Sequence, residues 1–115
     1  MLKTIPELVK QARESLLEIS IEKALSLSKQ ENSVIIDVRE PNEHAQNSAQ
    51  GTINIPRGLL EMKMLQMYPN ENQFIYLHCA TSVRAIFSAE QLKRVGYLNV
   101  AVITSSLDDI CKACS

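Results

Sequence analysis

The chain has 115 residues, 45% of them hydrophobic and 22% charged, with a formal net charge of −1. That is enough for one packed core, too little for two, and it carries no basic footprint to mark nucleic acid or an anionic membrane as partner. Only three glycines (Gly51, Gly58 and Gly96) are present, and no pair of them builds a G-x-G-x-x-G or G-x-x-x-x-G-K-[ST] loop, which excludes both nucleotide-binding signatures. Three cysteines, Cys79, Cys111 and Cys114, are an odd and sparse set that fits a reducing, cytoplasmic setting better than a disulfide framework. Residues 1–20 lack an apolar stretch behind a basic start, and charges interrupt every run long enough to span a bilayer.

In chain order, Thr4 and Glu7 stand at capping-box spacing, and Ile5, Leu8, Val9, Ala12 and Leu16 recur at helical spacing. The pattern predicts an amphipathic helix to about Leu17, and residues 1–17 are read as a helical extension ahead of a domain over 18–115. Ser20 is placed to cap a second helix to about Lys29. Val34 to Val38 is a continuous apolar, β-branched run around one aspartate, the pattern of a strand buried on both faces. Pro41 begins a short helical turn, and Thr52 to Ile55 is a brief strand ended by Pro56. Gly58 to Met67 reads as a helix and Phe74 to Leu77 as a strand. Arg84 to Val95 follows as a helix stopped by Gly96. Val100 to Ile103 is the last strand and Leu107 to Ala113 a terminal helix. Strands alternating with helices imply an α/β fold whose central, mostly parallel sheet has helices on both faces. Ligands of such sheets bind beyond the carboxyl ends of the strands, and Cys79 falls at that edge.

The segment Cys79-Ala80-Thr81-Ser82-Val83-Arg84 carries the chemistry. A strand–loop–helix turn can aim backbone N–H groups at the cysteine sulfur, and the helix start adds positive charge; both favour the thiolate, the reactive form. Arg84 can fold back and offer a planar donor fork to an anion, and the Thr81 and Ser82 hydroxyls can donate as well. A free cysteine is also a common small core residue. Here the polar residues and the arginine that follow argue for function. His78 is adjacent to Cys79, but neighbouring strand residues point to opposite faces, so a structural histidine is expected rather than a base.

Four stretches in order carry a family resemblance: Ile36-Asp37-Val38-Arg39-Glu40-Pro41-Asn42-Glu43, Gly51-Thr52-Ile53-Asn54-Ile55-Pro56-Arg57-Gly58, Tyr76-Leu77-His78-Cys79 with Arg84, and Gly96-Tyr97-Leu98-Asn99-Val100. They fall within residues 36–100, and the chain resembles, over about residues 18–110, a single-domain rhodanese, of the sulfurtransferase family. In that family C-x4-R marks sulfurtransferases, whereas C-x5-R marks related phosphatases and arsenate reductases; this chain has the shorter loop. The resemblance implies that Cys79 takes a sulfane sulfur from an anionic donor such as thiosulfate and passes it, as a persulfide, to cyanide or a thiol. It also allows a divergent module that carries sulfur for, or binds, a protein partner with weak turnover. Neither needs a metal or cofactor. The loop residues Ala80 to Val83 and Arg84 would bind substrate. Asp37 and Arg39 match the family's D-x-R motif and would support the site, the carboxylate accepting loop N–H groups. Arg57 either adds positive charge at the rim or is a surface residue.

The chain departs from the family pattern where glycines usually stand: Asn47 to Thr52 replaces a G-H-I-P-G-A stretch, Ser82 replaces the loop glycine, and Ser105-Ser106 replaces a G-G pair. Serine at a positive-φ position costs about 1 kcal/mol or more. Cys111-Lys112-Ala113-Cys114 is followed only by Ser115, which does not suit a thioredoxin-type pair opening a helix. Inert tail cysteines, resolving thiols for Cys79, and zinc ligands remain as readings of this pair.

Overall fold

The computed structural model describes residues 1–115. Helix α1 (Ile5–Arg13) starts where the sequence indicates, with the Thr4 hydroxyl oxygen accepting the Glu7 N–H at 3.3 Å. It stops one turn early. Leu17–Ile19 is a strand, β1, which pairs in parallel with β5 (Asn99–Ile103) in the register Leu17 to Ala101 and Ile19 to Ile103. A short apolar run fits a helix period and a strand equally well, and the open edge of β5 decides the matter by offering backbone partners. The Arg13–Glu18 ion pair, at 3.0 Å, spans the corner.

Helix α2 (Ile21–Ser28) follows its Ser20 cap, and strand β2 (Ser33–Asp37) follows in turn. Helix α3 (Pro41–Gln46) leads to the two-residue strand β3 (Ile53–Asn54). A 3-10 turn over Arg57–Leu59 opens into helix α4 (Leu60–Met67). Strand β4 (Phe74–His78), helix α5 (Val83–Val95), strand β5 and helix α6 (Leu107–Ala113) complete the chain. Gly96 ends α5 at φ +128°, and its N–H donates to the Leu92 and Lys93 carbonyls.

All five strands are parallel, in the order β1-β5-β4-β2-β3. The central strand β4 is covered on both sides, which is why it reads as an unbroken apolar run. Ile75 and Leu77 point into the larger cluster with Ile36 and with α1, α4 and α5, through Ala12, Leu60, Met64, Ala89 and Leu92. Tyr76 joins the smaller cluster on the opposite face, with Ile21 and Ala24 of α2 and Ile110 of α6. Helices therefore lie on both faces, as the sequence implies. No helix is long and apolar enough to cross a membrane.

Two serines at positions where the resemblance leads one to expect glycine have work in this frame. The Ser105 hydroxyl oxygen accepts the Ile21 N–H at 2.9 Å, tying α2 to the loop after β5, and Ser106 caps α6 by accepting the Asp109 N–H at 3.1 Å. Leu92 is fully buried in the larger cluster. Leu92→Ala should cost about 2–5 kcal/mol in urea unfolding, whereas exposed Met62→Ala should stay within about 0.5 kcal/mol.

Candidate active site

The parallel sheet brings the ends of β2 and β4 side by side, with Asp37 and His78 in register. One residue beyond, Val38 and Cys79 turn to the same face and are buried in the larger cluster. Cys79 is 2% exposed. The chain then reverses through Ala80 to Ser82 and enters α5. Ser82, at φ +72° and ψ −20°, is the only non-glycine residue with positive φ. The left-handed residue at the helix entry turns the first amides of α5 back over the strand end, and the Ala85 N–H donates to the Cys79 sulfur at 3.3 Å. Of the remaining loop residues, Thr81 is exposed and Ala80 and Val83 are half-buried. No surface hollow is lined by Cys79; the one that includes Arg57 and Phe87, about 370 Å³, lies against Ile5 and Leu8 of α1.

Arg84 does not offer an open fork. Its Nη1 and Nη2 donate to Oε1 and Oε2 of Glu43 at 2.6 and 3.0 Å. Glu43 sits in the first turn of α3, and its Oε1 also accepts the Glu40 N–H at 3.1 Å. The hydrogen bonds from Arg84 and from the Glu40 backbone pull the Glu43 carboxyl down to about 2. The same pairing raises Arg84 above its ordinary value. Sequence reasoning singled out Arg84 but not its partner. The available signal was Glu43 three residues after Glu40, at capping-box spacing behind Pro41.

Asp37 and Arg39 form a buried pair, 0% and 3% exposed. The Arg39 guanidinium donates to both carboxylate oxygens of Asp37 through Nε (3.0 and 3.2 Å) and to Oδ2 through Nη2 (2.8 Å). The loop N–H that Asp37 accepts is that of Arg39 itself, at 3.0 Å; the cysteine loop is not its partner. His44 Nδ1 lies 2.8 Å from Asp37 Oδ2, a contact the sequence did not reveal. Arg39 also donates to the Asn47 carbonyl at 2.7 Å, and Asn54 donates to the carbonyls of Asp37 and Arg39 at 3.0 and 2.8 Å. Burial pushes the Asp37 carboxyl up, but the hydrogen bonds from Arg39 and His44 outweigh it and leave it below its usual range.

His78 points away from Cys79, toward Asp37's side of the sheet. It is fully buried, and neither ring nitrogen has a protein hydrogen-bond partner. Burial holds it below the usual histidine value, and the ring lacks the side-chain hydrogen bonds expected of a buried imidazole. Arg57 anchors by its backbone, donating to the Val38 carbonyl at 3.2 Å, and its guanidinium lies 5.2 Å from the centroid of the Phe87 ring. It is exposed and makes no ion pair. The tail cysteines are half-buried free thiols. Cys111 approaches the Asn47 side-chain oxygen at 3.8 Å, while burial and the neighbouring Cys111 push the Cys114 thiol up. No three His, Cys, Asp or Glu side chains gather in a metal-holding group.

This strand–cysteine–helix geometry matches a known group. Residues 20–113 match the rhodanese-like domain. The chain belongs to the rhodanese-like family. The domain is 30% identical over 96 residues to YrkF of Bacillus subtilis, a protein named as a sulfur carrier, across 83% of this chain and 51% of that one. It is 31% identical over 65 residues to PspE of Escherichia coli, named as a thiosulfate sulfurtransferase, across 56% of this chain and 62% of that one. The chain thus spans only part of the length of either relative. A solved structure from Rhodopseudomonas palustris, of a protein of unknown function described as a possible tyrosine phosphatase, shares the fold with a TM-score of 0.82 at 23% identity. That likeness covers 98% of this rhodanese-like chain and 92% of the other.

Two outcomes follow from this geometry. Asp37→Asn leaves the buried Arg39 without its counter-charge and should cost about 3–5 kcal/mol in urea unfolding. Because the Asp37 carboxyl is depressed in the folded state, its stabilisation is complete above its unfolded value near pH 4 and is lost as pH falls below that. The acid limb of the stability profile should be shallower in the variant. Ser82→Gly relieves the left-handed serine and should raise stability by up to about 1 kcal/mol, the gain limited by the added freedom of the unfolded chain.

Proposed function

We propose that the domain is a sulfurtransferase in which Cys79 is the catalytic nucleophile. The observation that supports this best is the Ala85 N–H directed at the Cys79 sulfur, at the head of α5. The cysteine thiolate attacks the outer sulfur of thiosulfate; the S–S bond breaks, sulfite leaves with the bonding pair, and Cys79 holds a persulfide anion. Cyanide or a thiolate then attacks the terminal sulfur, the persulfide bond breaks, and the thiolate is restored with thiocyanate or a new persulfide as product. Both covalent states place negative charge at the strand end, where amide dipoles fixed in advance stabilise it without reorganising. Arg84 would recognise the donor's oxyanion. Asp37 and Arg39 would support the loop indirectly, through α3, and Arg57 would add the positive charge at the edge that no carboxylate cancels. The four-residue spacing of Cys79 and Arg84 is the sulfurtransferase one, which favours sulfur over phosphoryl transfer.

On this reading the rhodanese-like unit is residues 18–115, and residues 1–17 are an extension whose helix α1 packs along α5 and buries Ala12. The three free thiols suit a reducing, cytoplasmic setting, where Cys79 is kept ready for sulfur. A second reading is sulfur carriage for a protein partner. It is favoured by the closure of the Arg84 fork, which weakens attraction for a small anionic donor, and by the likeness to YrkF.

Incubation with thiosulfate should add about 32 Da, one sulfur atom, to the intact protein, and Cys79→Ala should abolish the gain. Thiocyanate formation from thiosulfate and cyanide should depend on Cys79 in the same way. A stable adduct with negligible thiocyanate selects the carrier reading; no adduct with thiosulfate or with a low-molecular-weight persulfide overturns both.

A further inference from the structure

The side chain best suited to hold an oxyanion beside Cys79 is already holding one. Both terminal nitrogens of Arg84 meet both carboxylate oxygens of Glu43 in a matched fork-on-fork pair, the geometry by which guanidinium recognises any planar or tetrahedral oxyanion. Glu43 is not a loose surface partner. Its Oε1 is tied to the Glu40 N–H, and the first turn of α3 fixes where its backbone can lie. The helix is set in turn by contacts made to the buried pair. His44 reaches Asp37, and Asn47 at the helix end accepts from Arg39.

We infer that Glu43 is a specificity-determining residue: its carboxylate is a built-in occupant of the Arg84 fork, which an oxyanionic donor has to displace in order to bind. The inference rests on the sulfur-transfer reading of Cys79. Charge at this edge supports it. Asp37 cancels Arg39 and Glu43 cancels Arg84, leaving Arg57 with no carboxylate partner. Protonation does not open the fork, since the Glu43 carboxyl titrates only at about 2; above that range the occupant leaves only by competition. A dianion such as thiosulfate competes at a disadvantage that a sulfane donor without an oxyanion group, such as cysteine persulfide, does not meet. The pair is about one-third exposed on each side, so the penalty is moderate rather than prohibitive.

The test is Glu43→Gln, which keeps length and shape but removes the charge. The KM for thiosulfate should fall about 3- to 10-fold with kcat within about twofold, while the KM for cysteine persulfide stays unchanged. Inorganic sulfate, which cannot transfer sulfur, should bind more tightly by the same factor, followed by amide shifts of residues 80–85. Glu43→Asp, a shorter carboxylate that cannot span the fork as well, should lie between the two and serves if the glutamine variant is poorly folded. A raised KM, a lost kcat at unchanged KM, or sulfate binding no tighter than in the parent protein overturns the inference and makes Glu43 a positioning residue for Arg84. Tighter sulfate binding with no sulfur transfer in either protein upholds the occupied fork and sinks the sulfur-transfer reading alone.

Discussion

The buried Asp37–Arg39 pair is the interaction on which the site depends. It lies where β2 ends, out of contact with solvent, and a charge pair so placed is tolerated only if its hydrogen-bonding capacity is met. Meeting it draws in three other segments: His44 from α3, the Asn47 carbonyl from the loop behind it, and Asn54 from β3, whose side chain caps the carbonyls of the same turn. The D-x-R turn therefore acts as a clamp on the second half of the sheet edge. Its charged side chains make no hydrogen bond to the cysteine loop, yet it sets the position of the helix that carries Glu43, and Glu43 meets Arg84.

From that clamp the rest of the edge follows by short steps. The pairing of β2 with β4 brings Cys79 beside the clamp, and α5 lies against the same face as the cysteine, so its first amides reach back to the sulfur. The site is thus held from two sides, by the core under α5 and by the polar network under α3. The two meet at a single ion pair, Arg84 with Glu43, which is about one-third exposed on each side and is the part of the edge best placed to give way.

Ser82 shows how local strain is carried by this frame. Its positive φ is required by the direction in which α5 must leave the strand, and a residue other than glycine persists there because the packed helix and the buried cysteine over-determine the turn. The scarcity of glycine that marks the composition is felt at this one loop position. At Ser105 and Ser106 it is not a defect at all, because hydroxyls that take backbone N–H groups replace what glycine would have supplied in conformational freedom.

By itself the sequence determined the alternation of strands and helices, the parallel sheet with helices on both faces, and Cys79 with Arg84 at a strand end. These rest on local signals: apolar periodicity, caps at Thr4 and Ser20, the stop at Gly96, and motif spacing. What it misjudged was the stretch around Leu17, where a three-residue strand exists only because β5 offers it an edge. Glu43 carried the local signal of a capping box with Glu40, while His44 and Asn47 had no pattern to single them out, and nothing local records which carboxylate will face which guanidinium 41 residues away. Tertiary structure decided that Asp37 would serve Arg39 instead of the cysteine loop, that His78 would be sealed away from the sulfur, and that Arg84 would be met by a carboxylate. Charge partners are chosen by distance in space, and only the packing of β2, β4, α3 and α5 on one sheet sets those distances.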